Sequence, residues 1–336
     1  MRKCIVLFLS FGIALFGLTF LTQEAKSAEI TIKFAHVLVP DTPCGKASDL
    51  FAKLMAERTK GKVEVKVYPS MQLGNDTQIV EQIQMNTVQM GIPPTAVMGQ
   101  FEPRIQLFDL PFLFPTREAC YAVLDGEVGK ILLDGLSKKG FKGTVYWESG
   151  FKQFTTKGKP ISGPADFKGL KMRTMDSPLI IEQFRTWGAN PVPISFGESY
   201  NALQQRVVDG LEMPIINIDR MKFYEVQDYV TISNHAYLGY SVIVNQKFWD
   251  GLPKEVQDIF MKTIAAARDM EREETKKNDQ LLIEKMQKLG VKIHYLSANG
   301  ARDFRKASAP VYKKFEGVIG KDLLDKAMQI ADQFAK

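Results

Sequence analysis

The chain has 336 residues, of which 45% are hydrophobic and 24% are charged, a composition typical of globular proteins. This length allows either two domains of typical size or one large α/β domain. The formal net charge of +6 is modest. Basic residues are dispersed among acidic ones, as in MEREETKKNDQ (residues 270–280), and this pattern argues against nucleic-acid binding.

The first 27 residues are predicted to be a secretory signal peptide. Arg2 and Lys3 form a positive region, residues 4–21 are apolar, and TQEAKSA supplies small residues for cleavage after Ser27 or Ala28. The apolar stretch is long for a signal peptide, so an uncleaved membrane anchor is the alternative. Cleavage would release the protein into the periplasm.

The remaining residues offer little chemistry. Cys44 and Cys120 could form a disulfide in an oxidising compartment or could be buried as small apolar residues. The histidines are too widely spaced to suggest a metal site, and motifs for nucleotide binding or nucleophilic catalysis are absent. We therefore expect no metal, no cofactor and no catalytic residues, which favours a binding protein over an enzyme.

An alternation of strands and helices begins at residue 29. EITIKFAHV reads as a strand, and a helix follows with Thr42 as its N-cap, Pro43 at its first position and Gly61 at its end. Strands are then predicted at residues 62–69 and 89–93, with a helix through DTQIVEQIQMNTV between them. This order predicts a parallel sheet covered by helices, in which ligands bind at the carboxyl ends of strands. FDLPFLFPT (residues 108–116) is interpreted as a loop packed on the core.

A second α/β unit follows a Gly- and Lys-rich crossing at residues 144–160. It consists of a strand at LKMRT, a helix at residues 177–188, a strand at ANPVPI and a helix that runs from a capping box of Ser195 and Glu198 to Gly210. Residues 228–250 read as two extended runs and a possible return crossing.

The longest predicted element is a helix from Pro253 to Lys288. At 1.5 Å per residue it would be roughly 55 Å long, which exceeds the ~30 Å diameter of a small domain. Such a helix is either kinked or spans two lobes. Together with the two α/β units and the chain crossings, it predicts a bilobed binding protein.

Several segments, in this order and spacing, resemble one family. They are FAHV, YPSMQLGND, FDLPFLF, GFKQFTTKGKPI, PADFKGLKMRT, the stretch from WGANPVPISFGES to GLEMP, KFYEVQDYVTISNH and KFWDGLP. Together they are similar to the extracytoplasmic solute-binding proteins of TRAP (tripartite ATP-independent periplasmic) transporters of the DctP type. The resemblance implies an α/β, bilobed periplasmic binding protein with a long helix spanning both lobes. We expect residues 28–149 and 239–278 to form lobe I, and residues 150–238 and 279–336 to form lobe II.

The resemblance also implies a ligand anchor. In the family, the arginine of a GLK-x-R motif forms a salt bridge with the ligand carboxylate, and Arg173 matches it. The chemistry agrees, because a guanidinium offers two parallel donors to a carboxylate or sulfonate and a strand end holds it rigidly. From the residues alone, a solvated surface charge is the alternative.

Other positions correspond to ligand contacts in relatives. Phe196 matches an aromatic residue that packs on the ligand, although it could simply pack beside the helix cap. Lys152 replaces a second arginine and could reach either the ligand or a contact between lobes. Met213 replaces an asparagine. These two replacements make the site less polar and favour a small organic anion, either a carboxylate or a sulfonate, over a sugar acid.

Four further residues complete the predicted site. Tyr237 and Tyr240 fall where the second crossing would line the cleft. Thr95 and His36 lie near strand ends of the first lobe, where each could donate a hydrogen bond to the ligand or be a satisfied structural polar group.

The predicted function is capture of a small organic anion and its delivery to the small and large membrane subunits of a TRAP transporter, by a protein expected to be monomeric. The alternatives are a sensory module that presents its ligand to a membrane receptor, and a periplasmic enzyme acting on a small acid. The enzyme would need a poised nucleophile or proton-transfer group, for which the residues offer no convincing set.

Overall fold

A computed structural model describes residues 28–335 of the protein. The predicted signal peptide therefore lies outside the described residues. These residues form nine strands, whose bounds are β1 (Ile30–Ala35), β2 (Val63–Tyr68), β3 (Met90–Gly91), β4 (Phe141–Thr156), β5 (Lys171–Thr174), β6 (Asn190–Pro193), β7 (Gly210–Pro214), β8 (Tyr229–Asn245) and β9 (Lys292–Tyr295).

Twelve α-helices accompany these strands, together with short 3₁₀ turns. Their bounds are α1 (Pro43–Arg58), α2 (Asp76–Gln84), α3 (Thr95–Met98), α4 (Arg117–Leu124), α5 (Glu127–Gly135), α6 (Pro178–Thr186), α7 (Ser199–Gln204), α8 (Ile215–Arg220), α9 (Gln246–Asp250), α10 (Lys254–Lys288), α11 (Ala298–Ile319) and α12 (Lys321–Asp332). No helix among residues 28–335 combines the length and apolar character that crossing a membrane requires.

The strands form one sheet in the order β2-β1-β3-β8-β4-β7-β5-β6, with β9 paired to β8. The pairs β1–β2 and β1–β3 are parallel, and so are β5–β6 and β5–β7. We call the part of the fold around β2, β1 and β3 the first lobe, and the part around β7, β5 and β6 the second lobe. The predicted α/β architecture with two parallel units is confirmed.

The long strands β4 and β8 join the two lobes. They pair antiparallel from Phe141↔Asn245 to Thr156↔Tyr229, with irregularities in register on either side of Gly150. The predicted lobe boundaries at residues 149 and 239 fall inside these continuous strands. The exact division stays a prediction, because both strands belong to the two lobes at once.

Helix α10 also spans both lobes, as predicted from its length. Its 35 residues correspond to about 52 Å. Near its start, Thr263 accepts a hydrogen bond from Arg58 of α1 at 3.0 Å, and near its end Lys285 pairs with Asp219 of α8 at 2.7 Å. The helix therefore contacts elements of the first lobe and of the second.

Local signals set several other boundaries. Thr42 caps α1 by accepting from the amide of Gly45 at 3.0 Å, and Pro43 occupies the first turn.

The apolar FDLPFLF segment is buried, as predicted. Cys44 and Cys120 are free and buried. They are therefore packed as small apolar residues and do not form a disulfide.

One predicted helix is shorter than expected. The helix proposed to run from Ser195 to Gly210 consists of a 3₁₀ turn followed by α7, which ends at Gln204. Arg206 has a φ of 57°, which reverses the chain, and Gly210 begins β7 instead of ending a helix. Its backbone lies so close to Thr155 that an added Cβ would be 2.2 Å from that carbonyl oxygen. The glycine marks a close approach between strands.

The crossing strand contains a glycine that we expect to be sensitive to substitution. Gly150 has a φ of 99°, and an added Cβ would lie 2.7 Å from Nη2 of Arg117, whose guanidinium is held by Glu148 and Asp279. Gly150→Ala should therefore lower the free energy of unfolding by about 2–3 kcal/mol, of which about 1–2 kcal/mol reflects the left-handed backbone. Gly158→Ala, at a φ of 89° with no described atom within 4 Å, should show only the backbone part. Thermal unfolding compares the two; equal losses would contradict the clash.

Candidate ligand-binding site

A cavity of about 270 Å³ lies between the two lobes, and we call it the main cavity. The first lobe lines it with Asn75, Asp76, Thr77 and Val97. The second lobe lines it with Arg173, Met175, Asp176 and residues 193–196. The cavity sits where β5 and β6 end, which is the edge of a parallel sheet where ligands bind.

Arg173 is the cation of this cavity. The side chain is 2% exposed, and its Nε donates to the carbonyl oxygen of Ile194 at 2.8 Å, which orients the guanidinium. Burial lowers its pKa to about 10, against the attraction of Asp76 and Glu212, so it stays charged at neutral pH. No acceptor among residues 28–335 bonds to its two terminal nitrogens. They are free to bind an anion with two parallel hydrogen bonds.

The start of α2 forms the opposite wall. Asn75 and Gln78 make a capping box, in which each side chain accepts from the other residue's backbone amide. The capping box leaves the amides of Asp76 and Thr77 without an acceptor among the described residues. Thr77 and the half-buried residue Asp76 line the main cavity from the first lobe, and Arg173 lines it from the second.

A smaller cavity of about 20 Å³ extends the main cavity inward, and we call it the inner cavity. Its lining is mostly apolar and includes Val37, Leu38, Phe196, Met213, Leu238 and Tyr240. Arg173 and Asp76 line it as well as the main cavity, and it adds Asn217, which is buried and has no partner for its Oδ1 among the described residues. Its Nδ2 donates to the sulfur of Met213 at 3.5 Å, which leaves Oδ1 as an acceptor at the position where the sequence predicted the loss of an asparagine.

Lys152 lines neither cavity. Its Nζ binds Glu212 at 2.8 Å, and both side chains are almost fully buried beneath the site. Glu212 also accepts from Gln183 at 3.1 Å and is 2.8 Å from Nε2 of His235. Burial raises the pKa of Glu212, but Lys152 and His235 outweigh this effect and lower it to about 2. Lys152 thus serves as the counter-ion of a buried carboxylate, and a direct contact with the ligand stays a prediction.

His235 completes this buried cluster. Burial lowers its pKa, although Glu212 opposes the change, and the neutral imidazole can donate to Glu212 while accepting from Ser233 at 2.7 Å. Phe154 stacks on the ring with centroids 3.8 Å apart. The cluster is therefore fixed by hydrogen bonds and packing.

The remaining predicted residues divide into two groups. Phe196 and Tyr240 line the cavities, and the hydroxyl of Tyr240 lies 2.8 Å from Oγ of Ser149. Tyr237, Thr95 and His36 are buried near the cavities without lining them, and their side-chain polar atoms have no partner among the described residues. Burial lowers the pKa of His36 to about 4, so this ring is neutral. Their contact with the ligand stays a prediction.

Sequence reasoning missed Asp76, Thr77, Asp176 and Asn217. Asp76 and Thr77 carry a detectable signal, because Asn75 and Gln78 have capping-box spacing at the start of the helix predicted after the strand at residues 62–69. Asp176 also carries a signal, because it lies two residues after the end of β5, where ligands bind to a parallel sheet. Asn217 gave no signal, because its position depends on the short helix α8.

Comparisons with known proteins identify the family of this chain. The profile of bacterial extracellular solute-binding protein family 7, DctP, matches residues 34–317. The C4-dicarboxylate-binding periplasmic protein DctP of Rhodobacter capsulatus is 39% identical over 306 residues, covering 90% of this chain and 92% of that protein.

Solved structures give the same result. A TRAP periplasmic solute-binding protein from Sulfurospirillum deleyianum, with bound succinate, is 42% identical at a TM-score of 0.86, covering 90% of this chain and 99% of that one. A sugar-acid-binding protein from Advenella mimigardefordensis, in complex with galactonate, is 32% identical at a TM-score of 0.88, covering 91% and 99%. The chain therefore belongs to bacterial extracellular solute-binding protein family 7, as a solute-binding protein of the TRAP type.

Proposed function

We propose that this protein captures a small C4-dicarboxylate in the cleft between its lobes. The observation that carries the proposal is Arg173, a buried guanidinium that lines the cavity between the lobes with its terminal nitrogens unpaired. One carboxylate of the ligand pairs with Arg173. The second lies toward the free amides at the start of α2, where the helix dipole favours an anion.

The apolar inner cavity supports the choice of a small ligand. Met213, Leu238 and Phe196 leave few hydrogen-bonding groups for the many hydroxyls of a sugar acid. The curated relative that binds C4-dicarboxylates and the solved relative that holds succinate both support the same class. A ligand with a sulfonate in place of one carboxylate would bind the same guanidinium of Arg173.

Membership of the family supports a wider role, which is part of the same proposal. The protein acts as a monomer in the periplasm after its first 27 or 28 residues are removed, and it delivers the anion to the small and large membrane subunits of a TRAP transporter. Lobe I comprises residues 28–149 and 239–278, and lobe II comprises residues 150–238 and 279–336. It binds its ligand without converting it.

Native mass spectrometry of protein purified from its own host tests this proposal. We expect a chain that begins near Ala28 or Glu29, a monomeric mass, and one retained C4-dicarboxylic acid that leaves unchanged on denaturation. Calorimetry should then show succinate binding to ligand-free protein. A retained sugar acid, with no binding of succinate, would contradict the proposed ligand class, and a chain that kept Met1 would contradict cleavage.

A further inference from the structure

Asp76 places a carboxyl group in the proposed anion site, where its negative charge would repel the ligand. It lines both the main and the inner cavity, as Arg173 does. Its carboxyl accepts no hydrogen bond from residues 28–335 and forms no ion pair with Arg173. Its neighbours in the inner cavity include Val37, Leu38 and Leu238, which cannot stabilise a carboxylate.

The other titratable groups around the cavities do not offset this charge. Glu212 beneath Arg173 is paired with Lys152, and His36 at the end of β1 is neutral. From β8, burial raises the pKa of Tyr240 well above its usual range, so its hydroxyl stays neutral. Asp176, on the second lobe, lies exposed at the cavity.

Glu198, which lines neither cavity, accepts a hydrogen bond from Ser195 at 2.7 Å. Arg173 is therefore the one cation lining the cavities within the described residues. A bound dianion beside an ionised Asp76 would set at least three negative charges against this single positive charge in a cavity of about 270 Å³. Like charges at such short range disfavour the ionised form of the weakest acid among them.

We propose that Asp76 couples ligand capture to protonation: a dianion binds with the Asp76 carboxyl neutral, and one proton moves from solvent to a carboxylate oxygen of Asp76 for each dianion bound. This inference rests on the proposed function, because it concerns a ligand with two negative charges. In the neutral state, the carboxyl can also donate a hydrogen bond to the ligand carboxylate that lies toward α2.

The proton affinity of Asp76 in the ligand-free protein is consistent with this coupling. Burial raises its pKa to about 7, even though the attraction of Arg173 lowers it. A ligand that pairs with Arg173 cancels that attraction and adds repulsion, so the pKa of Asp76 rises further on binding. Below about pH 7 the group is already neutral and no proton is taken up; above it, affinity should fall by up to about tenfold per pH unit.

Calorimetric titration with succinate tests the coupling between about pH 6 and about pH 8.5, a range in which carboxylates with ordinary pKa values are ionised. Repeating each titration in buffers of different ionisation enthalpy counts the protons taken up. For the wild type we expect uptake approaching one proton at about pH 8.5, and a Kd about 30-fold larger there than at about pH 6.

Two variants separate Asp76 from its surroundings. Asp76→Asn keeps the size and neutral state of the side chain, so it should bind succinate with a Kd that varies less than about threefold over this range, without proton uptake. Glu81→Gln removes an exposed acid from the same helix, at a position that lines neither cavity, and should retain the wild-type proton uptake. Thermal unfolding confirms that both variants fold.

The outcomes are distinct. Binding of succinate by the wild type without proton uptake above about pH 7 would overturn the inference. So would an Asp76→Asn variant that still takes up the proton, in which case the buried Asp109, whose pKa burial also raises to about 7, becomes the acceptor. If succinate does not bind at any pH, the ligand class fails instead, and the same proton count with the acid identified by mass spectrometry decides the role of Asp76.

Discussion

Arg173→Ala is expected to weaken succinate binding by roughly 30- to 3,000-fold. Removing one partner of a buried, hydrogen-bonded charge pair costs about 2–5 kcal/mol, because the other charge is left unpaired, and about 1.4 kcal/mol corresponds to a factor of ten. Arg173 meets the condition of burial, since it is 2% exposed and held by the carbonyl of Ile194. Calorimetric titration at about pH 6, where Asp76 is mostly neutral, measures the loss without interference from protonation.

Two further variants show whether the loss is specific to the guanidinium of Arg173. Arg173→Lys should also lose much of the affinity, because an ammonium group cannot make two parallel hydrogen bonds to a carboxylate. Lys171→Ala removes an exposed cation from the same strand and should bind like the wild type. If Arg173→Ala folds and binds within a few-fold of the wild type, Arg173 does not anchor the ligand.

Lys152→Met is expected to lower the free energy of unfolding by about 3–5 kcal/mol, because it leaves the buried Glu212 carboxylate without its cation. Methionine keeps much of the volume of the lysine chain, so the loss reports on charge more than on packing. Lys168→Met, at an exposed position, is the matched control and should change stability by less than about 0.5 kcal/mol. Denaturant unfolding measures both.

The same ion pair predicts a pH dependence with a definite sign. The pKa of Glu212 is lowered from 4.5 to about 2 in the folded protein, so its stabilisation is fully present above about pH 4.5 and is lost as the pH falls toward 2. Lys152→Met should flatten this part of the stability curve. The double variant Lys152→Met/Glu212→Gln should be more stable than the sum of the single losses implies. Strict additivity would mean that the two side chains do not interact.

Much of the fold could be predicted from local patterns. Alternating apolar residues located β1, caps such as Thr42 located helix starts, and the uninterrupted helical pattern after Pro253 located α10. The short helix α7 was overestimated, because the apolar spacing of residues 202–208 fits a helix while Arg206 in fact reverses the chain. The pairing of β4 with β8 could not be predicted, because partners such as Phe141 and Asn245 are far apart in sequence.

The candidate site divides in the same way. Arg173 was accessible to prediction because a family motif and a strand end coincide on one residue. The partnership of Lys152 with Glu212 was not, because 60 residues separate them and only the β4–β7 register brings them together. Asp76 could not be predicted as a site residue, for a different reason. An acid in the first turn of a helix is ordinary capping chemistry, and its effect on a ligand depends on what the other lobe places opposite.

The sequence separation between contacting residues of the first lobe also bears on how the chain folds. In the first lobe, β3 completes its pairing only with β8, as in Met90↔Val244, and Arg58 of α1 finds its partner Thr263 205 positions later. Contacts at such separation require large loops to be closed before any of their stabilisation is gained, which makes folding slow. The first lobe cannot be completed until most of the chain has been synthesised. We therefore expect the first lobe to stay incompletely folded during most of the synthesis of the chain.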